Sequence, residues 1–282
     1  MLDKRVCSIC AWRENCQKRF MVSVDVHFNV HCPDYTQDVR IKDSEIDAKI
    51  VEYQIERWRR SGKSNQDVVV TISRQAGAGG SEIARRLAEE FKMDLIGRQI
   101  IQYVAKSAGM TTQVVEFLDE KAVSRIDSMI NSMFVNRHLS TDVYFRHLTR
   151  AIATIGEHGN AIIVGRGAHL LLPKEKTLRF RFIAPQECRI RHFMKSRDMT
   201  KAEAEKYVEK RDADRTGFIQ KYFKADADDP GHFDLVVNTE MLGIEGAFRI
   251  VSAAIRQRIK TDPEPATLAT ERRRTRRPDI KK

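Results

Sequence analysis

The sequence predicts an α/β fold, a mainly parallel sheet with helices on both faces, preceded by a small cysteine-rich head. Two observations predict it. Between Asp67 and about Ile259, short β-branched or apolar runs alternate with longer amphipathic runs, the pattern of β-α-β units. One of these junctions, "VVVTISRQAGAGGSEIARRLAEEF" (68–91), passes from a β-branched run through a glycine-rich turn into a helical pattern. A third observation sets the head apart: Cys7, Cys10, Cys16 and Cys32 fall in the first 32 residues, and Cys188 stands alone.

The strands are expected at 68–73, 93–97, 161–165, 178–183 and 234–238. Helices are expected at 81–91, 98–108, 143–157, 186–197, 200–216 and 243–259. Right-handed crossovers between parallel strands leave all their C-terminal ends on one edge, where ligands collect. The turn at 74–80 and the pair Gly165-Arg166 both belong to that edge. Four segments follow: the head (1–43), a helix and hinge (44–66), the main α/β segment (67–259) and a basic tail (260–282). Ile46, Ile50 and Tyr53 fall at helical spacing in the second, with Asp43 or Ser44 to cap it and Gly62 to end it.

The chain of 282 residues carries a formal net charge of +11. Residues 271–282, "ERRRTRRPDIKK", hold seven Lys/Arg against two acids, so much of that excess sits in a solvated tail. Without interleaved aromatics the tail is a poor single-strand platform. An RNA or protein partner through head or tail stays open as a lesser alternative. No apolar run reaches the roughly 18 residues needed to span a bilayer, and the start does not read as a signal peptide. The expected location is the cytoplasm.

The glycine turn reads as a phosphate cradle. Gly77, Gly79 and Gly80 allow positive φ and close backbone approach, and the amides opening the helix at Ser81 face an anion with the helix dipole behind them. Ser81 stands where a P-loop places its Mg²⁺-contacting hydroxyl, but Gly80 stands where the pattern wants lysine. Arg74, at the entrance, is the candidate substitute cation, although its planar fork is not an ammonium. A plain strand-to-helix turn is the alternative reading.

The head's spacing, C-x2-C-x5-C-x15-C, suits one tetrahedral Zn²⁺ or one iron–sulfur cluster on Cys7, Cys10, Cys16 and Cys32. Only one C-x2-C knuckle is present, so neither is singled out. His27 and His31 rank below the cysteines as ligands. Cys188 is expected merely to pack.

Taken together, five ordered blocks resemble the cytidylate kinase-like family of P-loop nucleoside monophosphate kinases. They are "ISRQAGAGGSEIARRLA", "DLIGRQII" (94–101), "AIIVGRGAHLLL" (161–172), the stretch 187–223 containing Asp212 and Arg215, and "HFDLVVNTEMLGIEGAFRIV" (232–251). The resemblance implies a P-loop kinase-type sheet with a helical lid and transfer of the ATP γ-phosphoryl, with Mg²⁺, to CMP, dCMP or a related nucleotide. It implies that Gly77, Gly79, Gly80 and Ser81 cradle the donor phosphates. Asp94 and Arg98 would fall in the acceptor segment, and Arg166 would hold the acceptor phosphate. Arg211 and Arg215 would close from the lid, with Asp212 orienting Arg215. Arg189 and Arg191 are weaker members of the set, and surface ion pairs are the alternative for them and for Arg211. The family pattern Asp-Gly-Arg-Asp is here Val164-Gly165-Arg166-Gly167. With the lysine that removes three charged groups, so a nucleotide-binding regulatory or sensor module with little turnover is the alternative function. Glu240 or Asp234 would be available to help with metal.

Overall fold

A computed structural model describes residues 68–97, 101, 120–136 and 142–261, together with Ser23–Val24 and Val30–His31. The latter two segments pair antiparallel. The helix and hinge expected at 44–66, the tail beyond Thr261, and all four head cysteines with His27 lie outside the described residues.

Five parallel strands make the main sheet: β1 (Val69–Arg74), β2 (Asp94–Ile96), β3 (Ala161–Val164), β4 (Thr177–Ile183) and β5 (Leu235–Asn238), in the order β2-β3-β1-β4-β5. The register aligns Val69 with both Ala161 and Thr177, and Arg74 with Phe182. The turn after β1 therefore lies at the sheet's C-terminal edge.

Strand alternation sorts the core into two clusters. Val69, Ala161 and Ile163 face α3 (Val143–His158), α4 (Ala168–Leu171) and the end of α6 (Lys201–Phe223), through Phe145, Ile152, Leu171, Tyr222 and Phe223. Val70, Ile72, Ile162, Val164, Phe180 and Phe182 face α1 (Gly80–Glu90) and α7 (Thr239–Thr261), through Ile83, Leu87, Val251 and Ile255. A central parallel sheet must be covered on both faces, and the near-continuous apolar runs of β1 and β3 are its signature. Helix α5 (Gln186–Arg197) joins the first half of α6 in a smaller cluster of Ile190, Phe193, Ala204 and Val208 beside Ala76.

Local signals start several helices. Asp142 caps α3 by accepting from the Tyr144 amide at 2.8 Å. Thr200 and Glu203 form a reciprocal capping box on α6. Three elements depart from expectation. Helix α6 runs through Gly217 to Phe223 rather than stopping at 216, because Ile219, Tyr222 and Phe223 bury against the sheet. Helix α2 (Glu120–Asn136), for which the pattern offered no separate bounds within the helical stretch 98–134, rests on a narrow stripe of Ile126 and Ile130 against Ala153. Helix α7 begins at Thr239, ahead of the expected 243, and is kinked at Gly243 with φ 61°. No described helix is long and apolar enough to cross a membrane.

Two glycine substitutions should move stability in opposite directions. Gly167 has φ 70°, and a Cβ there would stand 2.3 Å from the Phe223 ring. Gly167→Ala should lower stability by about 2–4 kcal/mol, through overpacking and left-handed strain together. Gly217 is exposed inside α6 with open space around it, so Gly217→Ala should raise stability by about 0.5–1 kcal/mol. Urea midpoints of both variants check the pair.

Candidate functional site

The turn after β1 is held by side chains from distant segments. The Gln75 amide donates to the Phe182 carbonyl at 3.0 Å, and its side chain accepts from the Ala184 amide at 3.1 Å. Ala76 donates its amide to Asp212 of α6 at 2.8 Å. Arg189 of α5 donates to the Ala76 carbonyl at 3.2 Å, to Asp212 at 2.5 Å and to the Ala184 carbonyl at 2.9 Å. Thr239, at the start of α7, donates to the carbonyl of Ala78 or of Ile183.

Within this frame Gly77 and Gly79 adopt φ 82° and 75°. A Cβ on Gly77 would lie 2.8 Å from the Arg189 carbonyl. Helix α1 opens at Gly80 behind the left-handed Gly79, with no side-chain cap. Its opening amides are the kind of donors that a helix N-terminus offers to an anion. Gly80 has a different constraint. A Cβ there would lie 2.8 Å from Arg74 Cβ and 2.9 Å from Phe182 Cδ2. Close packing, not only a changed letter, excludes a lysine from this position.

Beside the turn opens a cavity of about 650 Å³, lined by Arg74, Arg166, Arg181, Arg211 and Arg215 among others. Arg74 ends β1; its Nε donates to the Ser81 hydroxyl at 3.3 Å, and its guanidinium lies against Gly165. Arg166 takes the left-handed conformation, φ 55°, between Gly165 and Gly167, which are also at positive φ. A non-glycine residue held there costs on the order of 1–2 kcal/mol. That cost turns the side chain over the Phe218 ring at 4.8 Å and along the cavity wall. Arg215 donates to the Arg74 carbonyl at 2.9 Å and lies 3.5 Å from Asp212. Arg211 donates to the Tyr207 hydroxyl at 3.0 Å.

The expected site residues thus separate. Arg74, Arg166, Arg211, Asp212 and Arg215 line one cavity, next to the turn that carries Gly77, Gly79, Gly80 and Ser81. Asp94 does not join them. It opens β2, in register with Ala161 and hence with Val69, the far end of the sheet from Arg74. Five residues of strand put it about 17 Å from that edge. Asp94 is therefore corrected from acceptor contact to buried sheet residue. Arg98, Cys7, Cys10, Cys16 and Cys32 lie outside the described residues. Asp212 does approach Arg215, but its shorter bonds go to Ala76 and Arg189. Arg189 is 7% exposed and pins the turn from behind rather than forming a surface pair. Asp234 accepts from the Arg179 amide and guanidinium, so it is engaged in the structure rather than available to metal. Among the described residues no group of three or more His, Cys, Asp or Glu side chains is placed to hold a metal ion.

Other cavity residues were not anticipated: Ser73, His169, Arg181, Asp214, Thr216 and Asp228. For Arg181 a signal existed. Arg179 and Arg181 alternate with Phe180 and Phe182 in β4, and in a parallel sheet with helices on both faces neither side of an inner strand opens freely to solvent. His169 is 6% exposed, stacked on Phe233 at 4.7 Å. Burial, followed by the nearby His232, Arg181 and Arg179, lowers its pKa to about 3.

Comparison with known proteins places residues 69–241 under the model of the cytidylate kinase-like family. The chain is 29% identical to a cytidylate kinase of Methanocaldococcus jannaschii over 192 residues, covering 67% of this chain and 97% of that one. A cytidylate kinase of Thermococcus kodakarensis is 28% identical over 190 residues, 67% of this chain and 88% of its own length. The solved structure of an uncharacterized protein from Eubacterium ventriosum superimposes with a TM-score of 0.53 at 20% identity, covering 68% of this chain and 99% of that one. That likeness shows a shared fold.

Two measurements probe the site's supports. Asp212→Asn leaves the buried Arg189 without its counter-charge and should cost about 3 kcal/mol in urea unfolding. The depressed folded-state pKa of His169 makes its contribution full above pH 6.5 and progressively lost as pH falls from there toward about 3. Between pH 7 and pH 5, His169→Phe should therefore lose about 2 kcal/mol less stability than the unaltered protein.

Proposed function

This chain belongs to the cytidylate kinase-like family, and we propose from that premise that it transfers the γ-phosphoryl group of ATP to CMP, dCMP or a related nucleoside monophosphate. The observation that carries the reading is the meeting of Arg74, Arg166, Arg211 and Arg215, from three separate segments, in one cavity beside the glycine turn.

The chemistry asks little else of the protein. An oxygen of the acceptor's phosphate attacks the γ-phosphorus, and the bond to the β,γ-bridging oxygen breaks, leaving ADP. A phosphate monoester is already mostly ionised at pH 7, so its attack needs no general base. What remains is to hold two anions in line and to neutralise the charge on the transferring group. In this reading the amides at Gly80 and Ser81 hold the donor phosphates. Arg74 supplies the charge that lysine would bring, Arg166 holds the acceptor phosphate, and Arg211 and Arg215 act on the group in flight. The donor enters as its magnesium complex. Mg²⁺ is commonly held by substrate phosphates, waters and one or two protein oxygens, and the exposed Ser81 hydroxyl is an oxygen of that kind.

A nucleotide sensor with little turnover is the second reading, favoured by Gly80: the packing that excludes lysine leaves Arg74, tied to Ser81, as its replacement. The head enters as part of the proposal, with thiolates of Cys7, Cys10, Cys16 and Cys32 holding one Zn²⁺ or one iron–sulfur cluster. Visible absorption of the purified protein, brown for the cluster and colourless for zinc, separates the two.

An ADP-release assay across nucleoside monophosphates tests the main reading. One or more should support turnover, and Arg166→Ala should reduce kcat/KM by about 10²–10³-fold, the scale of losing one preorganised charge donor. ATP binding without ADP release from any monophosphate would instead establish the sensor. Gly80→Lys, which restores the familiar pattern, should lower activity rather than raise it.

A further inference from the structure

The cavity has a second group of side chains that phosphate binding leaves unused. Ser73, His169, Arg181 and Asp228 line it together with the arginines already described. These four are joined by contacts of their own. Arg181 donates from Nη1 to the Ser73 hydroxyl at 2.7 Å and from Nη2 to Asp228. Its guanidinium lies 5.5 Å from the centre of the Phe233 ring, and His169 stacks on the same ring. Thus β1, α4, β4 and the turn after α6 each contribute one member.

The group is polar but close to neutral. Arg181 is balanced by Asp228, and a buried imidazole between cations stays uncharged at neutral pH. By contrast, Arg74, Arg166, Arg211 and Arg215 outnumber the lining carboxylates Asp212 and Asp214. One cavity therefore offers a cationic set of contacts and a neutral, hydrogen-bonding set. The neutral set also has an unmet demand. His169 Nε2 is buried and has no hydrogen-bond partner among the described residues, although a phenyl ring would stack on Phe233 as well. Buried polar atoms without partners are uncommon and call for an explanation.

Chemistry narrows the occupant. A second phosphate would meet the Asp228 carboxylate. An apolar group would leave the buried imidazole Nε2 without a partner. Hydroxyl groups, each both donor and acceptor, satisfy a carboxylate, a guanidinium, a serine hydroxyl and a neutral imidazole together. We propose that Ser73, His169, Arg181 and Asp228 form a subsite for the sugar hydroxyls of the phosphate-bearing acceptor, and that it makes the protein select ribose over 2′-deoxyribose. This deepens the phosphoryl-acceptor reading and rests on it. Arg181 acts as the positioning residue, with its fork held by Ser73 on one side and Asp228 on the other.

The test is calorimetric binding of CMP against dCMP and of AMP against dAMP, on the full chain, alongside ADP release with the same four compounds. At least one ribonucleotide should bind about 10- to 100-fold more tightly than its deoxy counterpart, the scale of one hydrogen bond to a charged or buried group. His169→Phe keeps the stack on Phe233, and it should bring that ratio close to one without changing ATP affinity. Asp228→Asn should do the same; if it does not fold, His169→Phe still decides. Equal binding of ribo and deoxy forms, or an unchanged ratio in His169→Phe, overturns the subsite even where ADP release proceeds. Ribose selectivity that His169→Phe abolishes, in a protein that releases no ADP, upholds the subsite and overturns phosphoryl transfer. No binding of any of the four overturns both.

Discussion

The arrangement depends on one partly buried carboxylate. Asp212 accepts the Ala76 amide, pairs with Arg189 and approaches Arg215, so α5, α6 and the turn after β1 are fixed through a single side chain. A glycine-rich turn has little conformational preference of its own, because each glycine loses more freedom on ordering than any other residue. The turn needs outside restraint to present its amides in one geometry. Arg189 provides part of it at the Ala76 carbonyl, and Thr239 provides another part on the far side. The charge pair is stable where it stands because each partner has further hydrogen bonds, the condition under which buried ion pairs are tolerated.

The same packing accounts for the departures from the family's usual charges. Gly80 lies too close to Arg74 and Phe182 for any side chain, and Gly167 too close to the Phe223 ring. Neither position can carry a longer side chain without moving a core aromatic. Cationic charge is instead delivered by guanidiniums. They reach from the end of β1, from the strained Arg166 turn and from α6, and three of the four rest on aromatic or backbone partners that limit their freedom. A guanidinium on a fixed stem loses less entropy on meeting a phosphate than a free-swinging ammonium. A site without lysine is physically coherent on these terms.

The extension of α6 past Gly217 ties the helix that carries Arg211, Asp212 and Arg215 into the main core. Its last turn packs Tyr222 and Phe223 on Phe145, with ring centroids 5.0 and 5.2 Å apart. The aromatic Phe218 in the same stretch supports Arg166. One helix therefore carries cavity arginines in its middle and core anchors at its end, so the geometry of the site and the stability of the fold are coupled along it.

The alternation of strands and helices, the two covered faces and the location of the glycine turn were legible in the chain, because β-branched runs and helical periodicity are local properties. Arg74 was named from the lysine missing in the turn, and Arg166, Arg211 and Arg215 from the resemblance to a known family; the four line one cavity. What sequence could not supply was register and depth. Asp94 looked like part of an acceptor segment, yet pairing with Ala161 puts it at the wrong end of its strand. Arg189 carried a surface ion pair as its alternative and is buried; Arg181 and His169 were not singled out and line the cavity. The sequence by itself determined which segments are strands and helices and that phosphate chemistry is the theme. Only the tertiary structure decided which charges share a cavity, because that depends on contacts between residues more than a hundred positions apart, such as Ser73 with Arg181 and Ala76 with Asp212.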